Sequence, residues 1–462
     1  MTINKGDKLR LEISGVAFGG KGIARADDFV VFVDHAITHD VADVQIVKKK
    51  KNYAEARVLE LIKPSPHRVE PVCSYSGHCG GCKWQFLDYE RQLDYKREHV
   101  KDALERAGLI KEGRVHSTIP SKLIFGYRNK MEFSCSDKRW LLPSEMGKDG
   151  VKKGFALGLH VPGTFYKVLD IDSCMLQPAM GNDILNDVRE FIKTSGLPVY
   201  GLRSHEGFWR FLMLRHSFFY DEWMVNVITS REEKDVLSPF AEALVEKYPN
   251  IVSVVNNINS GKAGVAIGER EVLLAGKRTI KERMGDLEFE ISSNSFFQTN
   301  TAQAESLYEK VEEYAQLSGN ESVLDLYCGA GTISAWLARS AKKVTGIEIS
   351  KSAVKDAGLN AIRNRIDNCE FIAGDMKNVL PDITEKVDVI IIDPPRAGMH
   401  KDVVKYVMES AAPKVIYVSC NPATMARDID MMKERYRVTK ARPVDMFPHT
   451  WHIESVVKLM AL

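Results

Sequence analysis

From about Val323 to the C-terminus, strand-length apolar runs alternate with helical stretches. No other feature constrains the chain as tightly, because it predicts a parallel sheet covered by helices. Candidate strands are 323–327, 343–348, 369–372, 387–392 and 414–419. Open sheets of this class bind ligands at the carboxyl ends of their strands. The residues that follow each strand are therefore the place to look for chemistry.

The first strand runs into Asp325-Leu-Tyr327-Cys328-Gly329-Ala-Gly331-Thr332, and a helix follows. Glycines there let backbone approach a ligand at a helix N-terminus. The second strand ends in Glu348, a carboxylate placed to accept two ribose hydroxyls. Ser334 and Ala335 follow Thr332, so the full G-x-G-x-x-G of nicotinamide enzymes is absent. An adenosyl ligand without a pyrophosphate fits better, and S-adenosylmethionine is the natural candidate. The fourth strand ends in Asp393-Pro394-Pro395-Arg396-Ala397-Gly398. Its prolines fix the loop. Asp-Pro-Pro followed by an aromatic is the amino-methylating pattern, and Arg396 in the aromatic's place argues against an amino acceptor. The fifth strand ends in Ser419-Cys420-Asn421-Pro422, which sets a candidate nucleophilic thiol at the same sheet edge. Cys328 is a competing thiol within the cofactor loop.

The rest of the chain reads differently. Its 462 residues suggest about three domains. Residues 1–63 read as short strands with glycine turns, a small OB-like β-barrel. The run Lys48, Lys49, Lys50, Lys51 is equally well a solvated hairpin tip or a phosphate-contacting edge. Pro64-Ser-Pro66 marks a linker. Residues 64–284 read as mainly β, apart from a helix at about 88–110 that is expected to pack on the catalytic domain. Residues 285–462 form the α/β domain. A formal net charge of +2 neither demands nor excludes nucleic acid. No apolar run approaches the roughly 18 residues of a spanning helix, and no secretory signal is visible, so a cytoplasmic location is expected.

Three of the eight cysteines cluster in Cys73-Ser-Tyr-Ser-Gly-His-Cys79-Gly-Gly-Cys82. In a reducing compartment such a cluster speaks for metal or redox chemistry. C-x5-C-x2-C with a distant fourth cysteine suits zinc or a 4Fe–4S cluster, and spacing does not separate them. Cys174 and Cys135 are both candidates for the fourth place.

Taken together, the chain resembles the S-adenosylmethionine-dependent RNA uracil-5-methyltransferases. The matching segments, in family order, are Ser295-Phe296-Phe297-Gln298-Thr-Asn300, Asp325-Leu-Tyr327-Cys-Gly329, Asp393-Pro-Pro-Arg396-Ala-Gly398, Ser419-Cys420-Asn421-Pro422 and His452-Ile453-Glu454-Ser455. The N-terminus resembles the family's TRAM-type RNA-binding barrel. The cysteine spacing resembles its iron–sulfur branch, with Cys174 in the fourth place. The resemblance is weakest between Cys82 and Cys174, where 138–153 reads as an insertion. It implies that Gln298, Tyr327, Glu348 and Asp393 bind the cofactor, with Asp375 as a further adenosine contact. Thr332 stands where some members carry Asn. It further implies Cys420 as nucleophile, Glu454 as base, and a 4Fe–4S cluster on Cys73, Cys79, Cys82 and Cys174. The partner implied is RNA, first of all 23S ribosomal RNA.

The chemistry accounts for these residue types. Carbon 5 of uracil is too weak a nucleophile to take a methyl group unaided. A thiolate adding at carbon 6 makes it electron-rich, and a base must later remove its proton. A thiol is both a soft nucleophile and a competent leaving group, provided that its surroundings lower a pKa of about 8.5. A carboxylate base works best when burial raises its pKa, and the apolar run around Glu454 is consistent with that. Phe296 and Phe297 are candidates for base stacking, with core packing expected for at least one. Alternatives are a tRNA uridine-54 methyltransferase and an RNA-binding iron–sulfur protein without activity.

Overall fold

The structure, a computed structural model, describes residues 3–111, 113–151 and 153–462. Six strands form the N-terminal unit: β1 (Lys8–Glu12), β2 (Gly15–Val16), β3 (Gly22–Ala26), β4 (Phe29–Asp34), β5 (Val41–Lys49) and β6 (Tyr53–Lys63). They pair in the order β1-β5-β6-β4-β3-β2. The two edge strands are consecutive in the chain, so the sheet closes on itself and leaves no long free edge. Alternate residues such as Val31, Val33, Val44, Ile46, Ala54 and Ala56 fill its interior, as a period of two requires.

The linker and cysteine segment lead to α1 (Tyr89–Arg106), whose N-cap Asp88 accepts a hydrogen bond from the Arg91 backbone N–H at 2.8 Å. Val100 and Leu104 of α1 pack into the C-terminal core rather than the central one. The central unit is a seven-stranded sheet built from β7 (Lys130–Ser136), β8 (Ala156–His160), β9 (Val168–Asp170), β10 (Trp209–His216), β11 (Trp223–Thr229), β12 (Ile251–Ile258) and β13 (Arg270–Gly276). Its order is β13-β12-β11-β10-β7-β8-β9. Two helices, α2 (Ala179–Thr194) and α3 (Lys234–Lys247), cover it. The unit is thus α+β, where the sequence predicts a mainly-β domain. Every residue of β10 and β11 is buried, so these central strands lose the alternation that marks a half-exposed strand. The expected insertion at 138–153, with Lys152 outside the described residues, forms a loop holding a short 3₁₀ turn at Pro143–Glu145.

Strands β14 (Thr279–Met284) and β15 (Leu287–Ser292) form a hairpin across the boundary expected at 284/285. Both pack against the C-terminal core through Ile280, Met284, Leu287, Phe289 and Ile291. Helix α4 (Thr301–Ala315) follows. The C-terminal sheet then comprises β16 (Ser322–Leu326), β17 (Lys343–Glu348), β18 (Cys369–Ala373), β19 (Val389–Ile392), β20 (Lys414–Ser419), β21 (Tyr436–Val444) and β22 (Glu454–Ala461). Helices α5 (Thr332–Ala338), α6 (Lys351–Arg363), α7 (Met376–Val379), α8 (Lys401–Ser410) and α9 (Pro422–Met432) connect them. The order is β18-β17-β16-β19-β20-β22-β21, parallel except for β22. This is the doubly wound α/β sheet expected from the strand–helix alternation. Among the described residues, no helix is long and apolar enough to cross a membrane.

Candidate active site

A cavity of about 1010 Å³ opens at the carboxyl ends of β16, β17, β19 and β20. Gln298, Tyr327, Glu348, Asp393, Cys420 and Glu454 all line it. The sheet explains the last pair. β20 and β22 run antiparallel with Ser419 opposite Ser455, so the next step of the register sets Cys420 beside Glu454. Residues 34 apart in sequence thereby share one strand edge.

The cofactor loop is shaped by backbone conformations that most residues avoid. Tyr327 holds φ +66°, and Gly329 and Gly331 hold +53° and +74°. A strained non-glycine residue in such a place marks a surrounding structure that enforces it. At Gly331 a Cβ would also stand 2.8 Å from Ala357 Cβ and from the Phe371 ring. Glu348 accepts from the backbone N–H groups of Gly329 at 3.2 Å and Ser350 at 2.9 Å, which fixes its carboxylate at the end of β17. Asp325 is fully buried below the loop, accepts from Ser334 Oγ at 2.5 Å, and leaves Oδ1 without a partner. Burial pushes its pKa up to about 7. Gln298 is positioned from the central unit: Asn129 Nδ2 donates to its carbonyl and to Thr301 Oγ1, both at 2.8 Å. Asn300 caps α4 immediately afterwards.

The loop after β19 is clamped by α9. The Arg396 carbonyl accepts from Asn421 Nδ2 and Thr424 Oγ1 at 3.2 Å each, and the Ala397 carbonyl accepts from Arg427 at 2.8 Å. Buried Asp428 accepts from the Met399 backbone N–H at 2.7 Å and from Tyr417 Oη at 2.6 Å. A Cβ at Gly398, φ +80°, would meet Asp428 and Arg427 within 2.6 Å. The Arg396 guanidinium meets His452 Nδ1 at 3.1 Å inside the cavity.

The electrostatics raise the proton affinity of the buried acids. Burial, then the charge of Asp393, raises Glu454 well above the ordinary carboxylate value, with Arg396 opposing. Burial also raises Asp393. The Cys420 thiol is pushed up to about 11 by burial and by Glu454, again against Arg396. The sequence reading expects a lowered thiol pKa, and the protein alone does the opposite, because the cavity gathers carboxylates around the sulfur. Positive charge brought in with a ligand would reverse that balance.

Three placements qualify the expected set. Asp375 does not line the cavity; it caps α7 through the Lys377 backbone N–H at 3.1 Å and pairs with the Lys377 ammonium at 3.2 Å. Cys328 lines the cavity within the cofactor loop, its thiol raised by burial and by Asp325 and Glu348. Both phenylalanines line the cavity, but Phe297 is buried in the core whereas Phe296 is 70% exposed. Sequence reasoning missed Asn129, Arg128, Asp428 and the Gly80–Gly81 wall of the cavity. Arg128 and Asn129 come from a segment remote from the motifs, whereas Gly80 and Gly81 lie within the cysteine motif and Asp428 lies in the helix that begins at Pro422.

The clustered cysteines border the same site. Cys79, Cys82 and Cys174 line a cavity of about 270 Å³, and Gly81, Arg128 and Thr299 line both cavities. Burial raises the thiols of Cys79 and Cys82 to about 12, and each also feels the charges of Cys73 and Cys174. The Gly81 backbone N–H points at Cys79 Sγ at 3.4 Å. Cys135 instead lies in the central core. Among the described residues, no group of three or more His, Cys, Asp or Glu is arranged to hold a metal ion. Cys79, Cys82 and Cys174 bring three free thiols from two segments to the smaller cavity.

Residues 221–462 match the tRNA (uracil-5-)-methyltransferase family, and residues 4–59 match the TRAM domain. A protein of Chlorobaculum tepidum, named as an uncharacterized RNA methyltransferase, is 43% identical, over 98% of this chain and 96% of its own. A similarly named protein of Porphyromonas gingivalis is 42% identical, over 97% of this chain and 99% of its own. Among solved structures, the Pyrococcus abyssi tRNA (uracil-54, C5)-methyltransferase in complex with S-adenosyl-L-homocysteine superposes with a TM-score of 0.77 at 30% identity. That match covers 98% of this chain and 100% of the other.

Proposed function

The chain belongs to the tRNA (uracil-5-)-methyltransferase family and is an S-adenosylmethionine-dependent RNA methyltransferase, and from that premise we propose that it methylates carbon 5 of a uridine through a covalent cysteine adduct. The observation that carries this reading is the placing of Cys420 beside Glu454 at one strand edge, in the cavity that also holds Gln298, Glu348 and Asp393. S-adenosylmethionine supplies the methyl group on a positively charged sulfur. Tyr327, Gln298, Glu348 and Asp393 hold it, Glu348 taking the ribose hydroxyls. Asp375, being outside the cavity lining, contributes at most to the outer edge of the adenosine pocket.

The target uracil leaves its stack to enter the cavity, and Phe296 offers an exposed ring against which a neighbouring base stacks. Cys420 gives up its thiol proton to solvent, its Sγ forms a bond to carbon 6, and the ring's electron pair shifts so that carbon 5 becomes nucleophilic. Carbon 5 takes the methyl group. Glu454 then accepts the carbon 5 proton as the Sγ–C6 bond breaks and the double bond re-forms. The raised pKa of Glu454 suits it to take up that proton.

Large-subunit ribosomal RNA is the first target we infer, from the cysteine cluster. tRNA position 54 is the second reading, favoured by the Pyrococcus abyssi neighbour. We assign the four cysteines to a 4Fe–4S cluster with a structural role, because methyl transfer needs no electron. We place the protein in the cytoplasm.

The test uses unmodified RNA and labelled cofactor. Cys420→Ala is expected to abolish both turnover and the covalent RNA adduct. Glu454→Gln is expected to transfer the methyl group but stall, with turnover down about 10² to 10⁴ and the adduct visible on a denaturing gel. An adduct persisting in Cys420→Ala, or lost in Cys328→Ala, overturns the assignment. Protein isolated without oxygen is expected to carry iron and acid-labile sulfide, depleted by Cys→Ser at any of the four positions; stoichiometric zinc without iron would exclude the cluster.

A further inference from the structure

A third cavity, of about 670 Å³, lies on the central unit and takes no part in the chemistry above. His160, Phe165, Tyr200, His205, Arg210 and Lys262 line it, and none of its lining residues is a carboxylate. Phe165 is 70% exposed and presents its ring to this cavity. Arg210 is 2% exposed, its guanidinium carbon 4.3 Å from the Tyr200 ring centre, and its Nε has no partner. His160 Nδ1 likewise has no partner, while its Nε2 meets Ser134 Oγ at 2.8 Å. At the rim, the Arg203 guanidinium sits 3.8 Å over Tyr166 and the Lys167 ammonium 3.8 Å over Trp140.

The cavity connects to the active site through one short stretch of chain. Gly80 lines the active cavity, and its backbone N–H donates to the His160 carbonyl at 2.9 Å. His160 lines the third cavity. Gly80 and His160 thus join the walls of the two cavities. The volume falls within the range of ligand pockets. Exposed aromatic faces interleaved with cations are what single-stranded nucleic acid uses for stacking and charge neutralisation.

We propose that this cavity receives an unpaired nucleotide of the same RNA that presents its uridine to Cys420, its base stacking on Phe165 or Tyr200 and its phosphate meeting Lys262. The assignment rests on RNA being the substrate. Phe165 supplies the exposed stacking face and Lys262 the charge, so the cavity holds a second position of the target, away from the methylated uridine.

The full-length protein is irradiated with unmodified large-subunit ribosomal RNA and with tRNA transcripts, and crosslinked peptides are mapped. Crosslinks at Phe165, Tyr200 or His205 are expected with the RNA that is bound. The double variant Phe165→Ala with Lys262→Gln is expected to weaken RNA binding about tenfold. It should leave S-adenosylhomocysteine binding and the melting temperature unchanged, since Phe165 is exposed. Absence of crosslinks at these residues, or unchanged RNA affinity in the variant, overturns the proposal. Crosslinking here without methylation of either RNA by the wild type counts against uridine methylation and leaves the nucleotide site standing.

Discussion

Burial and the charge of Glu454 raise the proton affinity of Cys420, and burial and the charge of Asp393 raise that of Glu454. The consequence is a pH dependence with a definite sign. The Cys420 thiol is raised to about 11, so the thiolate is a minor species at neutral pH and its share grows as pH rises. Alkylation of Cys420 in the cofactor-free protein, followed by peptide mass analysis, is expected to keep accelerating above pH 9. S-adenosylmethionine, whose sulfur is positively charged, is expected to move the midpoint down, and S-adenosylhomocysteine, whose sulfur is neutral, to move it less. A midpoint near the ordinary value of about 8.5 without cofactor would contradict the carboxylate-rich cavity. Which residues meet in the cavity was legible from motifs. Their proton affinities were not, because these depend on burial and on neighbours that no motif includes.

At the scale of elements, the site is an arrangement of strand ends held by helices. The antiparallel insertion of β22 beside β20 brings the base to the nucleophile, and a register slip of one residue would turn Glu454 to the other face. Helix α9 fixes the Arg396 loop through Asn421, Thr424 and Arg427, and Asp428 ties that helix to β20 and to Met399. Asp428→Ala leaves the Tyr417 hydroxyl and the Met399 N–H without their buried acceptor. It is expected to cost about 1–3 kcal/mol of stability and to lower methyl transfer, because the loop carrying Asp393 loses its anchor. Denaturant unfolding and single-turnover transfer on the same preparation check both, and unchanged values in the two would show the clamp to be dispensable.

Across the whole molecule, the central and C-terminal units share one cavity, and the barrel packs beside it. The barrel's first loop reaches Trp451, with Phe18 5.0 Å from that ring edge-on and Gly20 too close for a Cβ. Trp451 adjoins His452, which lines the active cavity. Within the C-terminal core, α1 supplies Val100 and Leu104, and its fully buried Lys96 pairs with Asp445 just ahead of that segment. The four lysines sit at the far end of the barrel, on the β5–β6 hairpin. Lys48 pairs with Glu55 at 3.1 Å, and Lys49, Lys50 and Lys51 are exposed. Replacing all four by Gln is expected to reduce the slope of log affinity against log salt by about 2, with RNA binding measured at several salt concentrations. An unchanged slope assigns these lysines to solvent alone.

The sequence by itself determined the α/β class, the barrel and which candidate residues stand at the strand ends, because those signals are local. Strand–helix alternation, glycine loops and residues following each strand all lie within a few positions of one another. Only the tertiary structure decided the central unit, where β10 and β11 are buried on both faces and so show no alternation, and where α2 and α3 escaped notice. It alone placed Cys79, Cys82 and Cys174 in a cavity that shares a wall with the active one, turned Phe297 inward and Phe296 outward, and left Asp375 on its helix cap. These outcomes depend on which distant surfaces pack together. Contacts of that kind are set by the burial of whole faces, and a linear pattern carries no record of them.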